Sequence, residues 1–468
     1  MVLPAIHRRL CTKGGSESLN THMIDSELFK DHYGTATLRR IFSDEALLEK
    51  WIQVEVALAQ AEAELGLIPV EVYEEIKRKG KAQSFDMAQI REQMIKTSHP
   101  LVPFIRQYEK LCEQGAGEYI HYGATTQDIL DTALILQLKD GYRYICAGVS
   151  NIVQALKDLT VKYRATPMAG RTHGQHALPI TLGFKLATWL SEMHRHQQRL
   201  QELQDRVFIG QLAGAAGTLA SIHESGLMVQ KRMMELLDLQ VPDINWHTSR
   251  DHFAELASVY AMIAGTLGKI ANEIINLQRT EIAEIEEGFE LGKVGSSTMP
   301  HKRNPMVCEY LVGLSRLIRN NVPLAFEAMV QEHERDMGLW LVEWEFLPEI
   351  SVNLGAMLDQ SETILKNLIV NERKMRENLD LTKGLILSER LMFFLSPHLG
   401  KQTAHELVYR ASMKAFENQS TLLDEICREP FIMEKVSREQ LEACMDPTTY
   451  IGLSLEFVDR VLSRVQEG

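Results

Sequence analysis

Only six cysteines are spread through the 468 residues (Cys11, Cys112, Cys146, Cys308, Cys427 and Cys444), and no CxxC pair occurs among them. That usage excludes a disulfide framework and a thiolate zinc centre and fits a reducing cytosol, so a cytoplasmic location and no metal are expected. No run of 18 or more apolar residues occurs, so no membrane partner is expected. A basic excess is missing too: 50 Lys plus Arg face 63 Asp plus Glu, a formal charge of −13, which argues against a nucleic-acid partner. Residues 1–22 hold Arg8, Arg9 and Lys13 with no acid before Glu17, and they lack the apolar stretch of a secretory signal. They read as a disordered leader.

Proline is absent in a patterned way. None lies between Pro103 and Pro167, between Pro179 and Pro242, or between Pro242 and Pro300. Proline breaks helix interiors, so each gap has room for a helix far longer than average. In the last gap Phe253, Leu256, Tyr260, Ile263, Leu267, Ile270, Ile274 and Leu277 alternate steps of three and four, the seam of a long amphipathic helix. Gln127–Lys162 and Thr181–Val207 carry similar patterns, and strand-type alternation is scarce. Long helices of this kind bury their stripes only against each other, which predicts an all-α fold around an elongated bundle with a flank left for self-association. Composition shifts suggest an N-terminal helical domain over 23–118, the bundle over 119–377 and a C-terminal helical domain over 378–468. Apolar content of 45% is ample for such a core.

Three segments concentrate polar chemistry: His121-Tyr-Gly-Ala-Thr-Thr-Gln-Asp128, Gly170-Arg-Thr-His-Gly-Gln-His-Ala177 and Gly295-Ser-Ser-Thr-Met-Pro-His-Lys-Arg-Asn-Pro305. Each carries glycine beside its polar cluster, which suits a helix end whose free N–H groups hold carboxylates. In the third segment, glycine and paired serines permit close backbone approach to a ligand while Pro300 and Pro305 restrict the closed form. Arg171, His173, His301, Lys302 and Arg303 run against the acidic sign of the chain and point to a small anionic substrate.

In this order the segments resemble the three separated site regions of the fumarase/aspartase superfamily, over roughly residues 24–465. The resemblance implies a three-domain all-α fold whose central long-helix bundle tetramerises, with each active site built by three subunits and no cofactor. It implies β-elimination from a succinyl-bearing substrate with release of fumarate, a carbon–nitrogen bond being the first expectation. Ser296 is then the base, His173 the acid paired with Glu309, and Lys302 and Asn304 the partners of the carboxylate and aci-carboxylate. Ser297, Met299, Thr125, Thr126, His99, Arg250 and Arg335 complete the expected substrate-binding set, Arg250 and Arg335 as groups that could reach a phosphate. His121, His252 and His333 are expected to be structural or to support the residues that touch substrate, and His176 stays open between support and site.

Two branches compete. Trp246-His-Thr-Ser-Arg-Asp251 and Gln331–Trp340 look like 3-carboxy-cis,cis-muconate cycloisomerase, whereas His173 and His99 are similar to adenylosuccinate lyase. The stretch Met337–Glu345, with two tryptophans and two glutamates, is poorly suited to a nucleotide phosphate. A helical scaffold without activity is the remaining alternative, and the completeness of the ionisable set argues against it.

Overall fold

The computed structural model describes residues 22–288, 298–299 and 301–467. The elements that position the site are helix α1 (Asp44–Glu64), α2 (Thr126–Lys162), the hairpin β1 (Pro167–Thr172) and β2 (Gln175–Thr181), α3 (Leu182–Val207), α4 (Asp251–Gln278), β3 (Ile285–Glu286), α5 (Met306–Glu327), α6 (Met337–Lys366), β4 (Ile369–Val370) and α7 (Ser454–Glu467). Helices α2, α3 and α4 fall where the proline-free gaps predict them. Thr181 caps α3 by accepting from the Phe184 N–H, and Ser43 caps α1 in the same way through Ala46.

Two long helices lie outside those gaps. Pro323 sits inside α5 and Pro348 inside α6, where proline counting alone would have cut each helix in two. Dense packing of α5 against α4 and of α6 against α2 outweighs the single backbone bond each proline removes.

The five long helices alternate in direction. Arg250, just before α4, bonds Asp131 in the second turn of α2, and Trp340 Nε1 in the first turn of α6 donates to the same carboxylate at 2.8 Å. The starts of α2, α4 and α6 therefore share one end of the bundle, called here the proximal end. At the distal end, Arg171 of β1 bonds Glu284 beyond α4, and β3 pairs with β4 just beyond α6. The centre of the bundle is α4, most of whose residues are buried. By length and composition α4 is apolar enough to cross a membrane, and its burial among α3, α5 and α6 accounts for that apolarity. One core joins residues 48–375 and a separate apolar cluster runs from Leu391 to Cys444. The flank formed by α5 and the turn after it leaves Met306, Leu317, Leu324, Phe326 and Val330 exposed.

Candidate functional site

At the proximal end the first polar segment forms the start of α2. Thr125 precedes the helix and Thr126 opens it; the Asp128 N–H folds back onto the Thr125 carbonyl at 2.9 Å, and the N–H groups before it have no partner one turn back in the helix. Asp128, fully buried, organises the surroundings. Its Oδ2 accepts from the N–H of Thr125 (3.0 Å) and Gly214 (2.9 Å), and its Oδ1 accepts from the Ala213 N–H (3.0 Å) and faces His247 Nε2 (2.9 Å). One carboxylate thus fixes the helix start, the 213–217 loop and the segment before α4. Gly214 and Gly217 in that loop have φ of +75° and +88°, which residues with a Cβ rarely adopt. At Gly217 a Cβ would also meet the Asn245 amide at 2.3 Å.

Two histidines border this helix start. His121 Nδ1 lies 2.8 Å from Glu55 Oε1, and its backbone N–H donates to Glu55 Oε2 at 3.0 Å. Glu55 is buried on α1. Burial opposes charge on His121, but the Glu55 carboxylate beside it outweighs burial and raises the imidazole above its ordinary pKa. His99 behaves oppositely. Its Nδ1 accepts from the N–H groups of Val102 (3.1 Å) and Leu101 (3.3 Å), so the neutral ring carries its proton on Nε2. Burial, then the neighbouring His121 and Arg106, lower its pKa. One imidazole is held toward the cation and its neighbour toward neutrality, a split characteristic of sites that bind anions and move protons. Arg335 joins the cluster, donating from Nε to Gln127 Oε1 (3.0 Å) and from its terminal nitrogen to the Ala215 carbonyl (2.9 Å). His99, Thr125, Thr126 and Arg335 thus gather at one end, and His121, expected to be structural or supporting, stands with them. Glu55 went unread in the sequence because nothing local distinguishes it from other helix acids.

Arg250 is corrected. It has no exposed side-chain surface: its guanidinium bonds both oxygens of Asp131 (2.7 and 2.9 Å) and both of Glu343, between the rings of Trp246 and Phe253. All its hydrogen-bonding directions are committed, so it braces α2, α4 and α6 rather than contacting substrate. Burial, partly offset by Arg250, pushes Glu343 up to about 7. Trp340 and Glu343 therefore belong to the interior. Trp344 faces a cavity of about 880 Å³ that is also lined by Pro100, the residue after His99 in the chain. Trp51, Met87, Met94, Leu130 and Leu134 line the same cavity, whose charged rim holds Arg91 against Asp44 and Glu45.

The second polar segment sits at the distal end, on a β-hairpin where a helix end was expected. His173 and Gly174 form its two-residue turn, with φ of +53° and +74°. A register shift at Gly170 bends β1, and a Cβ there would lie 2.8 Å from the Leu178 carbonyl. The result is an exposed tip carrying Thr172, His173 and Gln175. Arg171 is not free for an anion, because it makes a two-point pair with buried Glu284 (2.6 and 2.9 Å), which also accepts from Asn378 Nδ2 (2.8 Å). Burial, then Arg171, lower the pKa of His176, which lies behind the tip.

The third segment enters α5 at this end. Ser296 and Ser297 lie outside the described residues. Met299 is exposed and its carbonyl accepts from the Lys302 N–H at 3.0 Å, while Lys302 itself is exposed and Asn304 half-buried. The segment is anchored at its end: Gln278 Nε2 donates to the Arg303 carbonyl (3.0 Å), and Glu287 accepts from the Cys308 N–H (3.0 Å) in the first turn of α5. Glu309 is exposed one turn into α5, and among the described residues of one chain no ion pair joins it to His173.

The two ends are far apart. Thr126 and Lys162 bound a helix of 37 residues, and the hairpin follows it, so about 55 Å of α-helix separates Thr126 from the His173 turn. No small substrate spans that distance. A site that uses both residues must draw them from different chains.

A family model described as Lyase matches residues 32–319, and one described as Adenylosuccinate lyase C-terminus matches residues 384–461. The chain is 45% identical over 448 residues to an N-acetyl-S-(2-succino)cysteine lyase of Enterococcus italicus, covering 96% of this chain and 98% of that protein. It is 40% identical over 453 residues to an adenylosuccinate lyase of Methanocaldococcus jannaschii, covering 96% and 97%. Among solved structures, a 3-carboxy-cis,cis-muconate lactonizing enzyme from Pseudomonas putida superposes with a TM-score of 0.89 at 37% identity, covering 94% of this chain and 99% of that one.

Proposed function

Because the chain belongs to the fumarase/aspartase superfamily of lyases, we propose that it cleaves the carbon–sulfur bond of a small S-(2-succino) thiol, releasing fumarate and the free thiol. The observation that carries the reading is the cavity lined by Trp51, Trp344 and Pro100, the residue after His99. Its walls are indole, thioether and aliphatic, and its rim holds two carboxylates against one guanidinium. Such a rim repels a phosphate dianion more strongly than the single carboxylate of a small thiol such as N-acetylcysteine. The E. italicus relative acts, by its name, on a substrate of that kind.

The chemistry follows from the groups present. A base removes the proton on the carbon next to one carboxylate, the aci-carboxylate that forms is stabilised by fixed donors, and the carbon–sulfur bond on the neighbouring carbon breaks with its electron pair leaving on sulfur. Ser296 is proposed as the base, with Lys302 and Asn304 facing the developing charge. The start of α2, with Thr125, Thr126, Arg335 and the His121–Glu55 pair, holds the second carboxylate. A thiolate can leave without prior protonation, because the ordinary thiol pKa is about 8.5, whereas an amine must be protonated before it departs. His173, backed by Glu309 of another chain, supplies the proton that completes the thiol. In this reading the working form is a homotetramer, supported by the separation of the two ends and by the exposed apolar flank of α5.

Cleavage of the carbon–nitrogen bond of adenylosuccinate is the second reading, favoured by retention of His99 and His173. A panel of S-(2-succino)cysteine, its N-acetyl form, adenylosuccinate and a carboxymuconate, each followed for its product, decides between them. The proposal expects fumarate and free thiol from the sulfur substrates. Preference for adenylosuccinate overturns it.

A further inference from the structure

Midway along α3, where α7 packs against it, a recess of about 510 Å³ is bordered by Ser191, His194, Arg195, Arg460, Val461 and Arg464. No carboxylate lines it. Among the described residues Arg195, Arg460 and Arg464 form no ion pair with an acid. Arg195 donates to the carbonyl (3.0 Å) and hydroxyl (2.9 Å) of Ser191 on its own helix, and Arg460 lies 5.4 Å from the ring of Phe457. Two of the nearby acids are engaged elsewhere: Asp459 pairs with Arg164, and Glu192 takes Lys269 and the Thr266 hydroxyl. The positive field extends inward. His196 is buried one residue beyond Arg195, with its Nδ1 3.2 Å from an Arg199 nitrogen and its Nε2 2.8 Å from Thr266 Oγ1. Burial, then Arg199, push its pKa down to about 4, so it is a neutral hydrogen-bonding link rather than a further charge.

We propose that this recess binds a small phosphate-bearing anion carrying two or more negative charges, held between α3 and α7. Three guanidiniums converging without a counter-ion repel one another, and an anion placed among them removes that cost. They come from two helices and therefore approach from different sides. That arrangement suits a tetrahedral phosphate, with acceptors all round, better than a planar carboxylate with two. Binding ties α7 to the bundle near the hairpin, since α7 also contacts the start of α3 through Phe457 and Phe184 and the end of α2 through Asp459 and Arg164.

The test is calorimetric titration of the full chain with tripolyphosphate at constant ionic strength, with fumarate and succinate present to occupy the substrate site. Saturable binding is expected. It weakens at least about tenfold in the Arg460→Gln/Arg464→Gln double variant and, independently, in Arg195→Gln, both with unchanged circular dichroism. Citrate binds more weakly than tripolyphosphate. Absence of saturable binding, equal affinity in the variants, or citrate binding as tightly as tripolyphosphate overturns the proposal.

Discussion

Replacing Glu62 with glutamine should flatten part of the pH dependence of stability. Glu62 lies two turns beyond Glu55 on α1, has no exposed surface, and among the described residues neither of its carboxylate oxygens has a hydrogen-bond partner. Burial, and then the charge of Glu55, push its pKa from 4.5 up to about 9. Between those values the folded chain keeps a proton that the unfolded chain has lost, so stability falls as pH rises through this window and is level outside it. Each pH unit inside the window costs about 1.4 kcal/mol, so holding Glu62 neutral costs on the order of 3 kcal/mol at pH 7. Glutamine keeps the shape and cannot ionise. Its unpaired amide adds an offset that does not change with pH. Urea unfolding of both proteins at one fixed protein concentration, from pH 6 to pH 8, should therefore show the variant gaining on the wild type by about 1.4 kcal/mol per unit. Parallel stability profiles would mean that Glu62 finds a partner or ionises in the folded state, and the reasoning fails.

Arg250→Met leaves Asp131 and Glu343 buried without their cation and should cost about 3–5 kcal/mol, read as a lowered urea midpoint with an unchanged slope; a loss under 1 kcal/mol contradicts the bracing role. Glu55→Gln removes the carboxylate that raises His121, leaving burial unopposed. If protonated His121 helps hold the substrate carboxylate, KM rises as pH climbs through its pKa, and in the variant that rise should begin at lower pH. An unshifted KM profile rules His121 out of carboxylate binding. Finally, His173→Ala and Thr126→Val, each weakly active alone, should regain activity when their chains are exchanged and reassembled, and verified exchange without recovery shows that no site combines the two ends.

Much of the bundle was legible because long helices write their packing directly into the spacing of apolar residues, as from Phe253 to Leu277 in α4. Pro323 and Pro348 hid α5 and α6, since a proline's cost is local and the packing that overrides it comes from distant chain. The Gly170–Ala177 segment read as a helix end because its glycines signal a turn without saying what the turn connects. Of the candidate site, Thr125, Thr126, His173, Lys302 and Asn304 were picked out because their segments are marked by glycine. Glu55 and Glu284 were not, because a buried acid's role depends on which histidine or arginine folds against it. Arg250 was misread for the same reason: its charge suggested a substrate contact, and only the fold shows Asp131 and Glu343 closing around it.

The most direct test of the account is the steady-state turnover of N-acetyl-S-(2-succino)cysteine and adenylosuccinate by the same preparation. The account predicts fumarate and free thiol from the first with kcat/KM above about 10⁴ M⁻¹s⁻¹, and a value at least about a hundredfold lower for the second. Efficient cleavage of adenylosuccinate with no thiol released from the sulfur substrate would contradict it.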